Sequence, residues 1–287
     1  YAPDREEIGR AIEMIAANMD NIASEQVYKD CFSMMDLTTL KTDDTPASVA
    51  KLVEKVNAFH KSYPEWPLPA SVCVFSNFAA TVKEVRKEDF NITVVSACFP
   101  SSQSFLEVKL KEVEMAVEQG ADEVDIVLAL NAFLAGNYEV AAEEIRQVRG
   151  VIDEVAGKQG RSVHLKVILE TGLLKTPENI ANASFLAMEA GADFIKTSTG
   201  KVDVNATPLA AYVMCECIGI YRMATGKKIG FKPAGGISSA ADALCYYSIV
   251  SSLLGKDWLN KELFRFGVSR VANSLLSAVE QKTVSYF

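Results

Sequence analysis

The chain is poor in the residues that build metal and redox sites. It has two histidines, His60 and His164, and no HExxH pair, so a histidine-rich metal site lacks its ligands. Its six cysteines, at positions 31, 73, 98, 215, 217 and 245, contain no CxxC spacing. That pattern excludes a dense disulfide framework and suits thiols packed as small apolar side chains in a reducing compartment. No apolar run approaches the roughly 20 residues of a membrane span. The opening YAPDREEIGR has no apolar signal segment, so a cytoplasmic location is expected. Nine prolines and 16 glycines among 287 residues leave no low-complexity tract. Positive charge is in deficit too. A net charge of −8 disfavours nucleic acid or an anionic membrane as the partner.

What is present is an alternation. After a charged helical opening, roughly Asp4 to Tyr28, short β-rich runs end in polar or glycine turns, each followed by a helical period. The strands are expected at Phe32–Asp36, Ser71–Ser76, Ile92–Phe99, Glu123–Leu128, Val163–Glu170, Asp193–Ser198, Ile229–Pro233 and Phe264–Gly267. Helices are expected near 47–61, 77–86, 103–119, 137–157, 177–190, 208–224, 239–254 and 270–282. Thr45-Pro46, Thr176-Pro177, Thr207-Pro208 and Ser238-Ser239 are start signals. Such strand–helix units in this length predict an α/β fold, a TIM (β/α)8 barrel with an extra N-terminal helix. Residues 1–30 would be the helical extension, and 31–287 one catalytic domain with a short C-terminal tail. An open doubly wound sheet is the rival arrangement.

Several strands carry a charge where an apolar residue belongs: Asp36, Asp125, Lys166 with Glu170, Lys196 and Lys232. In a TIM barrel, strand C-termini build the active site. Lys166, Lys196 and Lys232 fall on strands 5, 6 and 7, and neighbouring strands lie about 4.8 Å apart. Inward-facing lysines would therefore bring their amines together. A like charge and burial both disfavour the protonated amine and free a nucleophile of the kind that forms Schiff bases. Asp125 and Glu170 could balance the charge and carry protons. The plainer alternative is that the lysines snorkel outward or form buried ion pairs.

Glycine turns follow the last three strands: Thr199-Gly200-Lys201, Ala234-Gly235-Gly236 before Ser238 and Ser239, and Gly267-Val268-Ser269. Backbone amides at such turns bind phosphate, and TIM barrels often place that site after strands 7 and 8. Any one of these turns alone is ordinary loop punctuation. Together the residues describe an enzyme without cofactor or metal that forms a Schiff base with a phosphorylated carbonyl compound.

The segments DLTTL (36–40), GADEVDIV (120–127), LKVILETG (165–172), GADFIKTSTGKV (191–202), VNATP (204–208), GFKPAGGI (230–237) and LFRFG (263–267) resemble the deoxyribose-phosphate aldolase family of class I aldolases. The resemblance spans roughly residues 31 to 270. It implies a lyase of deoxyribonucleotide catabolism that reversibly cleaves 2-deoxyribose 5-phosphate to acetaldehyde and glyceraldehyde 3-phosphate. By that likeness Lys196 forms the Schiff base, Lys232 is the neighbouring cation, Asp125 is the acid/base partner and Lys166 stands near the proton relay. Asp36, Thr199, Gly200, Lys201, Gly235, Gly236, Gly267, Ser269 and Arg270 would meet the substrate, a small phosphorylated sugar. No cofactor is implied, and a homo-oligomer is compatible with the family.

Four positions depart from the family pattern. Ser238 stands where Arg is usual, and Arg270 where a second Ser or Thr is usual. The strand-3 turn reads Phe99-Pro100-Ser101-Ser102, and Tyr286 precedes Phe287 rather than ending the chain. Arg270 could supply the guanidinium absent at Ser238, or it could fill the phosphate pocket. The leading expectation is an active aldolase. The alternatives are an aldolase-fold protein that mainly binds a protein partner, and a Schiff-base enzyme for another sugar phosphate.

Overall fold

Within a strand, side chains two apart share a face, and this sorts the residues of the protein into two layers. In Glu123–Val127, Val124 and Ile126 join the main apolar core, while Glu123 and Asp125 face the other way. Val167, Ile195 and Phe231 do the same for their strands, leaving Lys166, Lys196 and Lys232 on the inner face. The aliphatic core therefore lies between sheet and helices, and the centre of the barrel is ionic.

The computed structural model describes residues 1–287. Its strands are β1 Met35–Thr38, β2 Ser71–Phe75, β3 Asn91–Val95, β4 Glu123–Val127, β5 His164–Ile168, β6 Phe194–Lys196, β7 Gly230–Lys232 and β8 Phe266–Val268. They pair in parallel in the order β7-β6-β5-β4-β3-β2-β1-β8. Parallel bridges Phe231–Phe264 and Ala234–Gly267 join β7 to β8 and close the sheet into a TIM barrel. The start signals act as caps: Thr45, Thr176, Thr207 and Ser239 each accept a hydrogen bond from the amide three residues on.

The structure moves several expected boundaries. Phe32 and Ser33 end the helix Glu25–Ser33, so β1 begins only at Met35. An apolar run such as FSMM fits a helix end as well as a strand, and the stacking of Phe32 on Phe59 (centroids 5.0 Å apart) decides it. The N-terminal helical stretch is three helices, Arg5–Ala17, Met19–Ile22 and Glu25–Ser33. The first is capped by Asp4 and packs, through buried Ile8, near the helices Pro208–Thr225 and Ala240–Leu254. Strand β3 stops at Val95, before Ala97 and Cys98 turn to φ of 54° and 59°. Short helices Leu130–Leu134 and Thr171–Leu174, unexpected from the sequence, occupy the turns after β4 and β5. No helix is long and apolar enough to cross a membrane.

The tail folds back along the last helix, Val271–Glu280. Asn273 Oδ1 accepts from the amides of Tyr286 (2.9 Å) and Phe287 (3.0 Å). The Tyr286 hydroxyl donates to Lys55 O at 2.8 Å, and its ring packs on Phe59 and Tyr63, outside the barrel.

Inside, the Phe194 ring lies beneath two cations, 5.9 Å from Lys166 Nζ and 5.8 Å from the Arg265 guanidinium. Its register partner is Gly230, where a Cβ would stand 2.3 Å from the ring. Gly230→Ala should therefore force the ring against the ionic layer and destabilise the protein by about 1–3 kcal/mol. Urea unfolding checks this, with a lower midpoint at unchanged m-value expected.

Candidate active site

Strand register sets the height of each charge. Asp125 pairs with Lys166 across β4–β5, and Lys196 pairs with Lys232 across β6–β7. Lys166 pairs onward with Phe194, two residues before Lys196, so the three lysines are not level. They converge on one carboxylate. Asp125 Oδ2 takes Lys196 Nζ at 2.8 Å and Lys232 Nζ at 2.7 Å, and Oδ1 takes Lys166 Nζ at 3.0 Å.

Two more carboxylates and a guanidinium complete the cluster. Lys232 also meets Asp36 Oδ2 at 2.5 Å, and Lys166 also meets Glu123. Arg265 spans the interior, reaching Asp36 Oδ1 at 2.7 Å and the two Glu123 oxygens at 2.6 and 2.9 Å. Ser71 donates to the same Asp36 oxygen as Arg265, and Thr93 and Asn91 donate to the two Glu123 oxygens that Arg265 also engages. All of these ions are fully buried except Lys196, which is 3% exposed and lines the cleft above.

This environment divides the lysines. Burial holds the Lys196 amine below the usual lysine value, and Lys232 beside it adds to the effect, together outweighing Asp125. Burial would also depress Lys232, but Asp125 and Asp36 overcome it and push that amine up. Lys166 is likewise raised, burial being outweighed by Asp125, Glu123 and Asp36. Burial opposes ionisation of Asp125, yet Lys166, Lys196 and Lys232 hold it well below the usual carboxylate range. Of the three amines only Lys196 is shifted toward the free base, and it is the one that reaches the cleft.

The cleft, about 610 Å³, is walled by the turns after β1, β6, β7 and β8. Thr199, Gly200, Lys201, Gly235, Gly236, Gly267, Ser269 and Arg270 all line it, and so does Lys41. Its lining holds lysine and arginine but no carboxylate, which suits an anion. Gly235 has φ of +79°, and a Cβ there would sit 2.7 Å from Asn205. At Gly267 a Cβ would lie 2.7 Å from Ala234 Cβ and 3.1 Å from Lys232 Cε, so only glycine leaves that lysine undisturbed. Lys201 crosses to the β1 turn, donating to Leu40 O at 2.6 Å. Ser238 also lines the cleft, and at the cap of the helix that follows Asp242 Oδ2 accepts from the amides of Ser238 and Ser239, both at 2.9 Å. Arg270 stands at the start of the helix Val271–Glu280, which has no side-chain cap, and its exposed side chain is one of the cleft's cations.

The structure corrects two sequence expectations. Asp36 is not among the cleft-lining residues; it is buried, with its oxygens facing Lys232 and Arg265. Glu170 does not balance the lysines. Its carboxylate accepts from Thr199 N at 3.0 Å and Thr199 Oγ1 at 2.6 Å, fixing the β6 turn. The counter-charges are Asp36, Glu123 and Asp125, and the sequence reading missed Glu123 and Arg265. Their signal was present. Glu123 lies two before Asp125, on the same strand face, and Arg265 interrupts the apolar Leu263-Phe264-Arg265-Phe266. Tyr286 reaches none of the cleft-lining residues. No group of His, Cys, Asp and Glu is arranged to hold a metal ion.

Asp125→Asn should leave Lys166, Lys196 and Lys232 without the carboxylate they share, at a cost of about 3–5 kcal/mol. Chemical denaturation of the variant checks this, and an unchanged midpoint would contradict the geometry.

Comparison with known proteins places the chain. A family profile described as DeoC/LacD family aldolase matches residues 31–245. Deoxyribose-phosphate aldolase of Homo sapiens is 42% identical over 261 residues, covering 87% of this chain and 78% of the human protein. The Bos taurus deoxyribose-phosphate aldolase is 39% identical over 259 residues, covering 86% and 78%. Among solved structures, the tetrameric deoxyribose phosphate aldolase from Aeropyrum pernix shares the fold, with a TM-score of 0.68 at 22% identity over 96% of this chain and 98% of that one. With its ionic barrel interior and this extent of likeness, the chain belongs to the DeoC/LacD aldolase family.

Proposed function

We propose that the protein is a carbon–carbon lyase that cleaves 2-deoxyribose 5-phosphate reversibly to acetaldehyde and glyceraldehyde 3-phosphate, with Lys196 as the Schiff-base nucleophile. The observation that carries this reading is that Lys196 alone of the three interior lysines lines the cleft, and its amine is the one that burial and Lys232 favour as the free base. The human and bovine relatives named above support the substrate.

In this reading Lys196 Nζ attacks the aldehyde carbon of the open-chain sugar, and the carbonyl oxygen leaves as water. The resulting iminium draws the electrons of the C2–C3 bond as the C3 hydroxyl loses its proton. Glyceraldehyde 3-phosphate departs and an enamine remains on Lys196. Protonation at C2 and hydrolysis then release acetaldehyde and restore the amine. Asp125 is the acid/base partner, its charge state fixed by Lys232 and Lys166. Neither Asp125 nor Lys166 lines the cleft, so Asp125 acts through its contact with Lys196 Nζ and Lys166 acts through Asp125. Gly200, Lys201, Gly235, Gly236, Gly267, Ser269 and Arg270 hold the phosphate, and Thr199 shapes its turn through Glu170. Arg270 supplies the guanidinium of that site from the β8 side. Residues 31–287 form the catalytic domain and residues 1–30 its helical extension, the helix Glu25–Ser33 running across the boundary and carrying Cys31 and Phe32 into the core.

Borohydride reduction in the presence of deoxyribose 5-phosphate should leave a stable adduct that peptide mapping places on Lys196; an adduct elsewhere, or none, would refute the mechanism. Lys196→Ala should abolish both adduct and turnover. Arg270→Ser should remove a charge-assisted contact of about 1.5–3 kcal/mol, raising KM roughly tenfold or more with a smaller change in kcat. A lower KM would instead mean that Arg270 obstructs the pocket.

A further inference from the structure

We propose that Arg265 and Glu123, buried beneath the cleft and clear of any substrate, are positioning residues that set the protonation state of Lys196 by fixing the charge count of the barrel interior. The inference rests on the Schiff-base role of Lys196 and adds the reason that this lysine, rather than Lys166 or Lys232, is the free amine.

Four basic groups (Lys166, Lys196, Lys232 and Arg265) face three carboxylates (Asp36, Glu123 and Asp125) in a space buried from solvent except where Lys196 meets the cleft. Fully ionised, the cluster carries one uncompensated positive charge, which is costly where burial has removed hydration. Loss of a proton removes the excess. Arginine cannot release one, so a lysine must.

The contacts rank the lysines. Lys166 meets Glu123 and Asp125 and lies 3.7 Å from Asp36. Lys232 meets Asp125 and Asp36. Lys196 meets Asp125 alone, on the oxygen it shares with Lys232. It is the least compensated cation, so the proton leaves there.

The other groups facing Lys196 do not alter the count. From β2, burial pushes the Cys73 thiol up and keeps it neutral. From β3 the inward polar group is Thr93, which does not titrate. Lys41, Lys201 and Arg270 of the cleft are solvent-exposed and screened. The determining cation is therefore Arg265. It engages both oxygens of Glu123 and one of Asp36, where a fourth lysine could have shared the proton loss.

The reporter is the pH dependence of Lys196 alkylation by acetaldehyde with cyanoborohydride, followed by peptide mass spectrometry on the full chain. Neutral Nζ bonds to the carbonyl carbon, the oxygen leaves as water, and hydride from cyanoborohydride reduces the C=N bond to a secondary amine. Arg265→Met leaves three cations against three carboxylates. Its labelling curve should move to higher pH by about one unit or more, a roughly tenfold loss of rate at a fixed pH below the limb. Glu123→Gln leaves four against two, and its curve should move to lower pH. The double variant, with three against two, restores the single excess charge and should return toward the wild-type curve. Arg265→Lys keeps the charge but adds an amine that can share the proton loss, so its curve should fall between those of wild type and Arg265→Met.

Curves unmoved in the single variants, or a double variant no closer to wild type than they are, would overturn the inference while leaving the Schiff base intact. Absence of wild-type labelling on Lys196 at every pH would refute the Schiff-base reading itself. If Arg265→Met fails to fold, Glu123→Gln compared with the double variant still decides, because a purely structural role for Arg265 predicts no return of the curve.

Discussion

Three lysine amines share one carboxylate at the centre of this barrel: Lys166 on one oxygen of Asp125, Lys196 and Lys232 on the other. Much of the molecule is arranged so that this concentration of charge can exist away from water. The apolar face of each strand is turned outward to the helices, and the sheet closes through the β7–β8 bridges. Asp36, Glu123 and Arg265 extend the network so that none of its ions stands alone. A buried pair contributes little net stability, since desolvation offsets attraction. What the arrangement provides instead is a fixed electrostatic environment for one amine at the floor of a cleft.

The same strands serve two distinct purposes along their length. Toward their starts, Glu123 and Arg265 make a rigid ionic floor, with the Phe194 ring against its cations. At their ends the glycine turns bring backbone and basic side chains around a cleft of about 610 Å³. Lys196 lies where the two meet. Gly230 and Gly267 are needed at that junction for steric reasons, one leaving room for Phe194 and the other for Lys232 and Ala234.

Much of the fold was legible from alternation and capping residues, because period and helix starts are local properties. The errors fall where tertiary contacts compete with local signals. The FSMM run became a helix end because Phe32 could stack on Phe59. The expected third strand lost its end to the left-handed Ala97 and Cys98. For the site, Lys196, Lys232, Lys166 and Asp125 stood out as charges within apolar strands. Glu123 and Arg265 carried a similar signal but lie far from the strand C-termini where catalytic groups were sought.

Sequence alone determined a parallel strand–helix alternation with charged residues on several strands, because both periods are local; closed barrel against open sheet, and inward against outward lysines, it left as rivals. It also determined the chemical identities: lysines, carboxylates and glycine turns at the ends of the later strands. Tertiary structure decided which charges pair. Lys196 and Asp125 are 71 residues apart, and Arg265 and Asp36 are 229 apart, so their distances follow from barrel closure and register rather than from local pattern. Pairing also tells the lysines apart: Lys166 and Lys232 each meet more than one carboxylate, whereas Lys196 meets only the Asp125 oxygen that it shares with Lys232, a difference that no local pattern carries.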